Sequence, residues 1–153
     1  MKETLDRLRA IISEAPQRLL SINRQQCESR PPGKWSKKEI LGHLLDSASN
    51  NHQRFVRISL SETTISLPGY AQDDWVVAHN YQHASWPEMV EFWAAYNRHL
   101  LRVLSHVPDN SWGHLARIGD DNAVTLRFLA EDYVRHMEHH LEEILSSSLG
   151  LRP

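Results

Sequence analysis

The stretch KWSKKEILGHLLDS, residues 34–47, decides the fold. Ser36-Lys-Lys-Glu39 is a capping box, in which the serine and glutamate side chains satisfy orphan N–H groups at a helix start. Trp35, just before the cap, is placed to staple onto Ile40. Ile40, Leu41, Leu44, Leu45, Ala48 and Phe55 then recur at helical spacing, which predicts a helix from Ser36 to about Leu60.

Working outward, three more helices follow from the same rules. Leu5, Leu8, Ile11, Ile12, Leu19 and Leu20 define a first helix over 2–23, with a kink or restart expected at Ala15 because of Pro16. The Pro31-Pro32-Gly33 break separates it from the second. Ser85-Trp-Pro-Glu88 reads as another capping box with proline in the first turn, opening a third helix that runs to about His106. A fourth runs from near Thr125 to near Ser147. The link over 61–85 carries Pro68-Gly69 and a short helix at Asp73–Ala78, and 109–124 suits a small hairpin. Four long helices predict an all-α four-helix bundle. The long link between helices two and three is able to cross the bundle, so those two run parallel and the order is up-down-down-up.

Composition bounds the function. The chain has 153 residues, which suits a single domain over 1–153. Seventeen Lys and Arg (17) against 19 Asp and Glu give a net charge of −2, which offers no basic footprint for nucleic acid. No apolar run approaches a membrane span. The beginning, MKETLDRLRA, is not that of a signal peptide, and Cys27 is the only cysteine, so the expected location is cytoplasmic. Cys27 reads as an incidental thiol. The unusual number is 10 histidines, since histidine is the commonest metal ligand and a frequent acid–base catalyst.

His136 and His140 lie four apart on the fourth helix, so they stack on one face where two imidazoles can share a divalent ion. On a helical wheel, His140 lies about 60° and His136 about 100° from the centre of the stripe Leu126, Ala130, Tyr133, Met137, Leu141 and Ile144, while His139 points to solvent. A third ligand is needed for a catalytic site. His43 is the candidate on the second helix, although its wheel position, about 130° from the apolar centre, favours the surface. It shares a polar side with Ser47, Asn50 and Arg54, close to Asp46, and such a strip suits a cleft wall as well as bulk water. His79 and His83 form a second H-x3-H in the long link, without an apolar stripe to seat it. His52, His99, His106 and His114 have no partner at ligand spacing.

The segment 34–47 resembles the helix-two signature of the DinB/YfiT-like superfamily: a Trp, a Ser/Thr helix start, a His followed by Leu, then Asp-Ser. Asp132-Tyr-Val-Arg-His-Met-Glu-His-His140 resembles the helix-four signature ending in H-x3-H, and Leu67-Pro-Gly-Tyr70 to Trp75 resembles the stretch between helices. The resemblance implies an up-down-down-up bundle. It also implies a divalent metal, zinc or nickel, on His43, His136 and His140. Relatives of this kind include metal-dependent hydrolases and enzymes using bacillithiol or mycothiol, and many form homodimers. The expected function is therefore a small-molecule enzyme performing hydrolysis or transfer of a low-molecular-weight thiol cosubstrate, by metal-bound water or thiolate. Asp46 and Asp132 are candidates for orienting ligand imidazoles. Asn50 and Arg54 are candidates for meeting a polar or anionic substrate, and Tyr70 and Trp75 for walling the pocket. Glu138 lies off the histidine face and is no obvious general base, which leaves a non-catalytic metal-binding or stress-response module as the alternative.

Overall fold

A computed structural model describes residues 1–146 of the chain; the expected end of the last helix at Ser147 lies outside them. Four long helices are present: α1 (Lys2–Leu20), α3 (Lys37–Ser59), α5 (Trp86–Ser105) and α6 (Leu126–Ser146). Two short ones, α2 (Arg24–Glu28) and α4 (Gln72–His79), lie in the connections. Cross-helix contacts give the directions. The Trp86 indole N–H, at the start of α5, donates to Leu19 O at the end of α1, so these two are antiparallel. The Lys37 ammonium, at the start of α3, donates to Ile144 O near the end of α6. Arg7, early in α1, pairs with Glu138 of α6. His52 meets Tyr96 midway along α3 and α5. The order is up-down-down-up, as the length of the central connection predicts.

That connection is not bare loop. Strand β1 (Ile65–Leu67) pairs in parallel with β2 (Leu115–Ile118), and β2 pairs antiparallel with β3 (Val124–Thr125). The hairpin expected in 109–124 is thus the β2–β3 pair, shifted slightly toward α6. A three-residue 3₁₀ turn, Tyr81–His83, follows α4.

Local chemistry explains most boundaries. Ser36 and Glu39 form the expected box, Ser36 Oγ accepting from Glu39 N and Glu39 Oε2 accepting from Ser36 N. The Trp35 ring lies against His43, with centroids 5.1 Å apart. Helix α1 departs from expectation twice. It continues through Pro16 without a restart, because Leu8, Ile12, Ala15 and Leu19 bury one continuous face on both sides of the proline. It also stops at Leu20, because Asn23 and Gln26 make a capping box of their own and start α2. At Ser85 the helix starts as expected but the box does not form, since the Ser85 side chain makes no cap bond. Pro87 in the first turn removes one of the N–H groups such a cap serves.

The core is continuous, with Leu8, Leu41, Phe55, Trp93, Met137 and Ile144 all essentially inaccessible. It holds a polar bridge between α5 and α6: the Tyr133 hydroxyl donates to Asn97 Oδ1 at 2.6 Å, and Asn97 Nδ2 donates to Trp93 O at 2.8 Å. Among the described residues no helix is long and apolar enough to cross a membrane.

Candidate metal centre

His43 stands in the second turn of α3, and His136 and His140 stand one turn apart on the antiparallel α6. The three rings converge. His43 Nε2 lies 3.0 Å from His136 Nε2. Ring centroids are 5.0 Å apart for His43–His136, 5.0 Å for His43–His140 and 4.6 Å for His136–His140. One ring nitrogen from each lies within 4.8 Å of the others. His136 and His140 are half-buried and His139 is exposed, in the sense the wheel predicts.

His43 is wholly buried, against its wheel position. Helix α3 is covered on two sides. One is the bundle core. The other is the central connection, which lays α4 and the 3₁₀ turn over the polar side of α3. Asp46 is buried for that reason, while His43 is enclosed by Trp35, His136 and His140. Gly42 makes the close approach possible, because a Cβ there would stand 2.0 Å from Cδ2 of the Tyr81 ring.

Burial, reinforced by the neighbouring imidazoles, pushes His43 down to about 4, and His136 falls to about 4 for the same reasons. Both are therefore neutral at pH 7, the form that ligates. The same shift ties stability to pH. In the unfolded chain both rings take protons near the ordinary value of 6.5, whereas in the folded chain they resist until about 4. The unfolded state binds more protons in that window, so the contribution is intact above pH 6.5 and is lost as pH falls toward 4. The metal-free protein is expected to show a falling urea midpoint from pH 7 to 4.5, with a shallower fall in His43→Gln. A midpoint flat across that range would contradict the burial of these rings.

The surroundings differ from the sequence expectation in instructive ways. The carboxylate of Asp46 is not spent on a histidine of the cluster. Its Oδ1 accepts from the Tyr81 hydroxyl at 2.7 Å and lies 3.1 Å from His79 Nδ1, while His43 Nδ1 is buried without a hydrogen-bond partner among the described residues. His140 Nδ1 lies 3.2 Å from Glu143 Oε2, an acceptor that leaves Nε2 for other use. Asp132 pairs with Arg135 near the surface and acts on His136 only through its charge, favouring the protonated ring. Asn50 donates back to Asp46 O of its own helix at 2.9 Å. Arg54 is half-buried and makes a long hydrogen bond to Pro68 O at 3.4 Å. Tyr70 lies against Trp75 with the rings tilted, centroids 5.1 Å apart, and its hydroxyl is pushed up to about 12 by burial and by the charge of Asp46.

Sequence reasoning missed Gly42, Tyr81, Glu143 and the placement of His79. An isolated glycine inside a strong helical pattern signals close packing, so Gly42 was the available clue. The remaining histidines lie apart from the cluster: His52 contacts Tyr96 and His99, His83 pairs with Asn80, and His106 and His114 meet backbone carbonyls. Cys27 is buried, its thiol donating to Arg24 O.

The donor set fits a divalent ion. Three neutral imidazoles suit zinc or nickel, and His43 and His136 already present their Nε2 atoms to a common point. Residues 2–144 match the family model described as the DinB superfamily. No curated protein matches the sequence. Among solved structures, YfiT from Bacillus subtilis, described as a probable metal-dependent hydrolase with an unusual four-helix bundle topology, gives a TM-score of 0.87 at 20% identity, covering 99% of this chain and 88% of that one. The mycothiol-dependent maleylpyruvate isomerase gives 0.75 at 13% identity, and a variant of it 0.74 at 12%, each covering 97% of this chain and 67% of the other. At these identities the likeness establishes a shared fold.

Proposed function

The chain belongs to the DinB superfamily, and from that premise we propose that it is a metal-dependent enzyme whose divalent ion, zinc or nickel, is held by His43, His136 and His140. The observation that carries the reading is the convergence of three imidazole nitrogens from two helices, with His43 fully buried and the other two reaching toward solvent. Three protein ligands leave a coordination position open, whereas a structural zinc is closed by four. A divalent ion bound there supplies Lewis acidity and a deprotonated water or thiolate at neutral pH.

The residues along the polar side of α3 and its cover support a small-molecule substrate for hydrolysis or for transfer of a low-molecular-weight thiol. Arg54 offers a cation with little internal competition for its donors. Tyr70 and Trp75 provide an aromatic wall on the same side of α3. Asp46 holds His79 and Tyr81 in place beside them. The reading includes a cytoplasmic setting, which suits a chain with one free cysteine, and a homodimer, which sedimentation would test.

Elemental analysis of protein purified without a histidine tag is expected to find about one zinc or nickel per chain, as a single three-ligand site requires. Metal-dependent turnover of 4-nitrophenyl acetate, or of an electrophilic thiol acceptor in the presence of a small thiol, then separates hydrolysis from transfer. Failure to take up either metal after incubation would overturn the reading and leave a non-catalytic helical module.

A further inference from the structure

Resting on that reading, we propose that His79 is the proton-transfer residue of the site, with Asp46 as its positioning residue. Asp46 lies one turn beyond His43, so the two side chains are neighbours on the same face of α3. Its carboxylate is only 2% exposed, yet it is turned outward, away from the core, toward the segment that covers α3. There it meets the last residue of α4. His79 Nδ1 lies 3.1 Å from Asp46 Oδ1, and the imidazole ring is flanked by Trp75, at 5.7 Å between centroids, and Tyr81, at 5.2 Å. The Tyr81 hydroxyl holds the same carboxylate oxygen at 2.7 Å, so the acceptor is fixed from two directions. The second oxygen, Oδ2, is buried without a partner among the described residues.

A buried carboxylate beside Nδ1 selects the tautomer that carries its proton there. The lone pair is then on Nε2, which makes no hydrogen bond with the described residues, and the side chain is 48% exposed. This is the arrangement of an oriented base: one nitrogen beside a carboxylate oxygen, the other without a hydrogen bond to the described residues. Nε2 accepts the proton of an incoming O–H or S–H group, whose electron pair stays on oxygen or sulfur as the N–H bond forms. The imidazolium, stabilised by Asp46, returns that proton to the departing atom. The sum is neutral and needs no further reagent. The titratable groups in contact with His79 are Asp46 from α3 and, from the turn after α4, Tyr81. Beyond Trp75 stands Tyr70, with Arg54 nearby.

Two measurements test this. Two-bond proton–nitrogen correlation spectra of the metal-free protein, with His79 assigned by its loss in His79→Gln, are expected to show the Nδ1–H tautomer for His79. The Nε2–H form, which dominates in free imidazole side chains, would overturn the proposal. In the zinc-loaded protein, His79→Gln is expected to lower kcat for 4-nitrophenyl acetate by about 100-fold, within the usual range for a general base. Its zinc content stays that of the unsubstituted chain, and circular dichroism shows the bundle folded. Asp46→Asn is expected to lower kcat with little change in KM. If the chain takes up zinc and His79→Gln turns over undiminished, this proposal alone falls. If the unsubstituted chain takes up no zinc, the metal reading falls first and this one with it.

Discussion

His43→Ala is expected to abolish binding of the divalent ion proposed for His43, His136 and His140. Zinc retained after dialysis against a weak chelator should fall from about one equivalent to near zero, since the variant keeps only the two ligands of α6. The affinity loss should exceed about 100-fold, the upper range for removing even an outer partner of a ligand. Of the three rings, only His43 comes from α3, so its loss also removes the cross-link between α3 and α6. His136→Ala and His140→Ala should lose metal as well, while exposed His139→Ala keeps it. The urea midpoint of the metal-free variants guards against mere unfolding. Full retention of zinc by His43→Ala, with the bundle intact, would relocate the site to α6, where His139, His140 and Glu143 form a second, more exposed grouping.

Gly42→Ala should be the most damaging single-atom-scale change in the molecule. A helix interior ordinarily gains up to about 1 kcal/mol from this substitution. Here the new Cβ would lie 2.0 and 2.2 Å from two carbons of the Tyr81 ring. The ring must leave, and overpacking of this kind costs about 1–3 kcal/mol. Its departure also takes the hydroxyl away from Asp46, leaving a buried carboxylate with one partner fewer, a further cost of about 1–3 kcal/mol. The expected result is a lowered urea midpoint and a blue-shifted, more solvent-accessible Tyr81 in near-ultraviolet spectra. A companion variant, Tyr81→Phe, loses the hydrogen bond and keeps the ring. If Gly42→Ala proved as stable as the parent, the turn after α4 would not be seated on α3 as described.

These two positions mark where the sequence was legible and where it was not. The bundle itself was readable, because Ser36 and Glu39 announce α3 and the leucine-rich stripes of four helices repeat at one period. The parallel relation of α3 and α5 was readable from the length between them. His136 and His140 were readable because a single helix fixes their separation. His43 was not, because a helical wheel assumes one buried face, whereas Trp35 and the histidines of α6 close over His43 beside that face. Nor was the cover over Asp46, a distant segment seated on a glycine whose meaning depends on Tyr81, thirty-nine positions later in the chain. The short α2 escaped notice because its cap, Asn23 with Gln26, precedes a polar stretch without a stripe. The Ser85 motif misled in the opposite direction, matching a capping pattern whose side-chain bond the proline-containing turn does not use.

The parallel β1–β2 ladder has a kinetic consequence. Ile65 and Ala116 are about fifty residues apart, so their pairing carries the loop-closure entropy of everything between them, including α5. Such a ladder forms only once α3 and α5 have docked, and its contribution to the folding transition state should be small. The segment it anchors runs directly into Pro68, whose carbonyl accepts from Arg54 toward the end of α3. Release of three short strands therefore offers a sub-global opening in which the helices stay folded. Native-state hydrogen exchange would show it as a cooperative unit over 65–67 and 115–118, exchanging faster than the amides of α3 and α6. In this fold the small sheet and the helical bundle would then have separate stabilities.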